Sequence, residues 1–196
     1  VTINSSALYN SSEYNYLLQW GRKYSWNSSP WGTTVLDATN NWWGSADPQE
    51  IRSTIYDYED DGHLGLVNFG DFLSAQDGEV ATPPEGGIYL GSLVPDGMVL
   101  DGTYQIPATL RVPSGQELEI AAGATIKFEA DARIRVKNGG SLTCNGSEEL
   151  PIIFTSASTE PATGDWQYIH FEHGSTGHLS HCEIAYADYG VNVYSS

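Results

Sequence analysis

Positive charge is what this chain has least of. Eight Lys and Arg stand against 25 Asp and Glu in 196 residues, a formal net charge of -17. A surface so acidic repels nucleic acid and anionic membranes, which excludes both as partners. It suits saline or calcium-rich surroundings and is equally a plain route to solubility. No stretch approaches the roughly 18 apolar residues of a membrane span. The opening VTINSS is not a signal peptide, which leaves room for a leader removed or lying outside this sequence. Serine-triad motifs, a glycine-rich phosphate loop and a dinucleotide fingerprint are missing as well. Disorder is excluded from the other direction, by 40% hydrophobic residues with 12 Tyr and six Trp. Such a chain can hold one sizeable core or two small lobes.

What is present is a run of short alternating segments between Thr109 and Phe154. Leu110–Val112, Glu117–Ile120, Thr125–Phe128, Arg133–Val136, Ser141–Cys144 and Pro151–Phe154 each alternate apolar with polar, and turn residues follow each. Strands so short do not make stable hairpins; they suit the sides of a coil that stacks on itself. The pattern predicts Ile120, Ile126, Phe128, Ile134, Val136, Leu142, Ile152 and Phe154 inward, with Glu119, Lys127, Arg135 and Thr143 outward. If SLTC and LSHCEI are equivalent strands on successive turns, Cys144 and Cys182 face each other near bridging distance. Two buried thiols in a ladder fit the same residues.

The flanks are more varied. Residues 1–36 carry NSS triplets that read as turns, and Tyr and Trp that either fill rungs or stack on sugar. Asp47 as N-cap, Pro48 and Glu50 predict a helix over 48–58, with Ile51, Thr54, Ile55 and Tyr58 on its apolar face. Asp57, Glu59, Asp60 and Asp61 form either a solvated helix end or a calcium site without EF-hand spacing. Residues 74–102 read as a linker between segments 1–73 and 103–196. Four glycosylation sequons, at Asn4, Asn10, Asn27 and Asn145, point to an extracellular or cell-surface setting. Four histidines, His170, His173, His178 and His181, crowd into IHFEHGSTGHLSHC. Zinc or copper held by His170, His173 and either His178 or His181 fits these residue types. Outward polar positions and a turn that use His account for them without any cofactor.

Two segments resemble the right-handed parallel β-helix proteins of the pectate-lyase-like superfamily. LEIAAGATIKFEADARIRVKNGGSLTCNGSEELPIIFTS, with GDWQYIHF and CEIAYADYGV after it, looks like opening turns. LDATNNWWGSADPQEIRSTIYDYEDDGHLGLVNFGDFL is similar to a closing turn with a covering helix. The resemblance implies an all-β fold, a right-handed parallel β-helix with one short capping or bracing helix. It says little of activity, because the fold hosts lyases, hydrolases, adhesins and scaffolds. Enzymes of this kind use clustered Asp, an Arg base or an Arg-x-Lys strand; RIRVK (133–137) supplies the basic strand, but no Asp pair or His is expected one rung away. The expectation is therefore a non-enzymatic structural or adhesive module, with a carbohydrate-binding or carbohydrate-cleaving β-helix as the alternative. The closing segment precedes the opening one, so copies are expected to join head to tail, Val191 and Val193 of one meeting Val1 and Ile3 of the next.

Overall fold

The computed structural model describes residues 16–17, 35–57, 65–94 and 97–194. The chain divides into two compact units, residues 1–81 and 82–196. The first contains β1 (Tyr16–Leu17), β2 (Val35–Asp37), α1 (Pro48–Ser53), β3 (Ile55–Tyr56) and β4 (Leu66–Asn68). Both of its strand pairs, β1 with β3 and β2 with β4, are parallel.

Helix α1 begins as its residues dictate. The Asp47 carboxylate accepts from the backbone N–H groups of Gln49 and Glu50, and Pro48 fills the first position, where an N–H has no helical partner. Glu50 does not close a capping box; it accepts from the Ser45 hydroxyl. The helix ends at Ser53 rather than near residue 58, because Thr54 caps it and the next two residues pair with β1 as strand. Ile51 and Ile55 are buried as the apolar stripe requires. Asp57 is not a solvated acid: it is buried and accepts from the Val67 N–H at 2.7 Å and from Arg52 Nη2 at 3.3 Å. Glu59, Asp60 and Asp61 lie outside the described residues. In NNWWG, buried Asn41 donates to the Ala38 carbonyl at 2.8 Å, and Trp43 meets Phe69 edge-on at 6.4 Å.

The predicted linker over 74–102 does not exist as such. Leu73 bridges Val80 and the Ala81 N–H donates to Phe72, which ties residues 74–81 to the first unit. Its remainder supplies β5 (Ile88–Tyr89) and β6 (Val99–Leu100), the first coil of the second unit. Prolines and glycines there make turns within a coil, and composition alone does not separate those from a linker.

The second unit continues with β7 (Thr103–Ile106), β8 (Thr109–Val112), β9 (Glu117–Ala121), β10 (Thr125–Phe128), β11 (Arg133–Val136), β12 (Ser141–Asn145), β13 (Ile152–Ser156), β14 (Ile169–Phe171), β15 (Thr176–Ser180), β16 (Cys182–Ile184) and β17 (Val191–Val193). They form three parallel faces: β5-β7-β10-β13-β16, β8-β11-β14-β17 and β6-β9-β12-β15. Successive strands therefore turn from face to face, and each coil hydrogen-bonds to the one before, which is a parallel β-helix. The register puts like on like. Leu110, Ile134, Ile169 and Val191 form one interior column, and Val112, Val136, Phe171 and Val193 the next. All eight expected core residues are buried, and Glu119, Lys127, Arg135 and Thr143 face outward. Phe128 stacks on Trp166 with centroids 4.0 Å apart, filling a corner of the core.

Candidate functional site

The second face carries the densest group of positive charge among the described residues. Alternation sends Arg111, Arg133, Arg135 and His170 outward, because Leu110, Val112, Ile134, Val136, Ile169 and Phe171 take the interior. Register then stacks Arg111 on Arg135, Arg135 on His170, and His170 on Asn192. With Lys137 beside them, half of the chain's eight basic residues stand on this one face. Strands β8, β11, β14 and β17 themselves hold no acid.

Glu172, just past β14, partly offsets the repulsion between stacked cations. It accepts from Arg135 Nη2 at 3.1 Å and from Lys137 Nζ at 2.6 Å. Burial alone would raise its carboxyl; the Lys137 hydrogen bond and the charges of Lys137 and Arg135 outweigh that and hold it below its ordinary value. Arg133 donates to Thr109 Oγ1 at 2.9 Å and to the Tyr168 hydroxyl at 3.3 Å, with its guanidinium 5.9 Å from the Tyr168 ring centroid. His170 is buried between Tyr168 and Tyr194, with ring centroids 5.7 and 5.6 Å away. Burial, and after it the Arg135 charge, lower its pKa, which favours the neutral ring over the imidazolium. Arg135 Nε and His170 Nδ1 are buried without a hydrogen-bond partner among the described residues. Cationic donors interleaved with aromatic rings can hold an anionic or sugar-like group. The expectation that no His lies one rung from RIRVK is corrected here, since His170 sits directly on Arg135.

The other histidines do not join it. His173 lies in the turn after β14, His178 stacks on Thr143 on the third face, and His181 stands at the next corner, bonded to the Ser180 hydroxyl at 2.9 Å. Among the described residues no three His, Cys, Asp or Glu are placed to hold a metal ion. Two corners of one coil scatter what is close in sequence.

The cysteine alignment is also corrected. LSHCEI is not one strand but two, bent at His181, whose φ is 48°. Leu179 therefore stacks on Cys144, while Cys182 stacks on Ile152. Both cysteines are free thiols in this structure, Cys144 buried and Cys182 partly so. Asn145 is exposed at the end of β12; Asn4, Asn10, Asn27, Val1 and Ile3 lie outside the described residues. Val191 and Val193 are 45% and 68% exposed on the last coil. Among the described residues no helix is long and apolar enough to cross a membrane.

A chain built of stacked parallel coils with variable outward faces defines the class of the β-helix proteins. A family model described as a pectate-lyase like beta helix domain matches residues 93–194, and this chain belongs to that family. It is similar to Protein bark beetle of Drosophila melanogaster, 29% identical over 135 residues. That match takes in 62% of this chain and only 4% of the length of that relative. No solved structure matches the chain.

Proposed function

We propose that this chain is an extracellular structural or adhesive β-helix module whose copies join head to tail. The observation that carries the reading is the uncovered last coil. Ile134 and Ile169 are fully buried, whereas Val191, in the same column, and Val193 in the next are 45% and 68% exposed, beside Tyr194 at 66%. Among the described residues, each of β15, β16 and β17 has a neighbour on one side only. Unpaired edges over an open apolar rung are a template for another strand. Covering the two partly exposed valines would contribute about 1 kcal/mol for each. The covering rung we assign to the N-terminal segment of a second copy, around Val1 and Ile3, or of the next module in a longer chain. Such a contact is heterologous and repeats into a filament unless its rotation closes a ring. Exposed Asn145 supports the extracellular setting. Sedimentation velocity and negative-stain electron microscopy over a concentration series should show linear oligomers of the wild type. Val191→Asp with Val193→Asp should leave monomers. Wild-type chains that stay monomeric at high concentration would sink the reading.

The basic and aromatic ladder favours a second reading, in which the module binds or cleaves carbohydrate. Rings at Tyr168 and Tyr194 offer stacking surfaces, and Arg135 and Lys137 offer charge. A glycan array followed by reducing-sugar assays separates binding from cleavage, and Arg135→Ala should abolish either.

A further inference from the structure

We infer that Cys144 and Cys182 form a disulfide that staples the last described coil to the coil before it. They are the two cysteines of the whole chain, so an encounter by chance has no other pair to draw on. Cys144 lies in β12 on the third face and Cys182 in β16 on the first, one coil later. A single residue, His181, separates β15 from β16, and its left-handed backbone turns the chain sharply at that corner. That bend aims Cys182 back toward the interior, where it packs against the core cluster that contains Cys144. Cys182 Sγ donates to the Ser180 carbonyl at 3.4 Å, which holds it at that corner beside the cluster that includes Cys144. Two thiols in one packed interior, on adjacent coils at the same corner, reach the ~2.05 Å of a disulfide by local side-chain adjustment without a change of fold.

The coil that gains the bond is an end coil, since among the described residues β16 is an edge strand with β13 as its one neighbour. The staple stands whether or not that coil takes a partner. Formation by exchange with glutathione disulfide balances without any group the protein lacks. The Cys182 thiolate attacks one sulfur of the oxidant, a Cys182–glutathione bond forms, and one glutathione thiolate leaves. The Cys144 thiolate then attacks Cys182 Sγ, the mixed bond breaks, and the second glutathione leaves; the two protons from the protein thiols end on the two glutathiones. Cys182 is the half-exposed partner and Cys144 is fully buried, which sets the order of attack. Burial pushes both thiols up, so exchange is slow on the folded chain at neutral pH and faster during folding.

The test is to refold the full chain with reduced and oxidised glutathione, alkylate it with N-ethylmaleimide, and map the peptides by mass spectrometry. The expected result is a monomer without alkylation at either cysteine, with one cross-linked peptide pair joining Cys144 to Cys182. Closing a loop of about 40 residues should raise the melting temperature by about 10 °C over the reduced chain. In Cys182→Ser the melting temperature should no longer respond to reductant. Full alkylation after oxidising refolding, glutathione adducts, or bonds between chains would each overturn the staple. So would an oxidised chain that melts with the reduced one.

Discussion

At His170 burial and three neighbouring cations act in one direction and one carboxylate opposes them. Burial comes first and the Arg135 charge next, with Lys137 and Arg133 adding to it; all disfavour the imidazolium, and Glu172 favours it. The folded pKa therefore lies below the ordinary value of about 6.5. As pH falls, the unfolded chain takes up this proton first, so stability holds above that value and declines below it. Glu172 adds to the decline at lower pH, because its depressed carboxyl contributes stability that is lost as pH falls through its folded value. An NMR titration should place the His170 midpoint below that of an unfolded histidine, and Glu172→Gln should lower it further. A midpoint that rises in Glu172→Gln would contradict the arrangement. Alternation alone shows that His170 and Glu172 leave the sheet together. The Arg135 beneath His170 is not legible, because the loop between β13 and β14 hides how far the chain travels before it stacks again.

Among the elements, the six strands expected between Thr109 and Phe154 are readable to within two residues, and the departures elsewhere have physical causes. The helix is shortened by strand pairing to a partner far away in sequence. LSHCEI is split by a corner that needs only His181. Strand β15 shows a third case, where an interior position is filled from elsewhere. Gly177 stacks on Leu142, yet the space a side chain would take holds the Phe171 ring, whose Cε1 lies 2.3 Å from an added Cβ. Sequence marks the glycine without saying what presses on it. Gly177→Val should cost about 1–3 kcal/mol by overpacking, read as a lower denaturant midpoint with unchanged slope. An unshifted midpoint would show that Phe171 moves away freely.

For the second unit as a whole, each coil touches only its neighbours, so support falls from the middle toward the end. β10 and β11 are paired on both sides, while β16 and β17 are paired on one. Hydrogen exchange should find amides of β10 and β11 slowest and those of β17 fastest, and equal protection would mean that the last coil is covered. The repeating pattern made this stacking legible, whereas the division at residues 81 and 82 was not, since turns and linkers use the same residues. The direction of the ladder bonds has a mechanical side. Hydrogen bonds between parallel strands lie along the stacking direction. A pull along that direction loads successive rungs in series, so each bears the full force and the least supported rung parts first. A pull along the strands loads the bonds of a rung side by side, in shear, and they fail together at a higher force. The end coil thus acts as a mechanical fuse, and whatever cross-links or covers it decides where the unit tears.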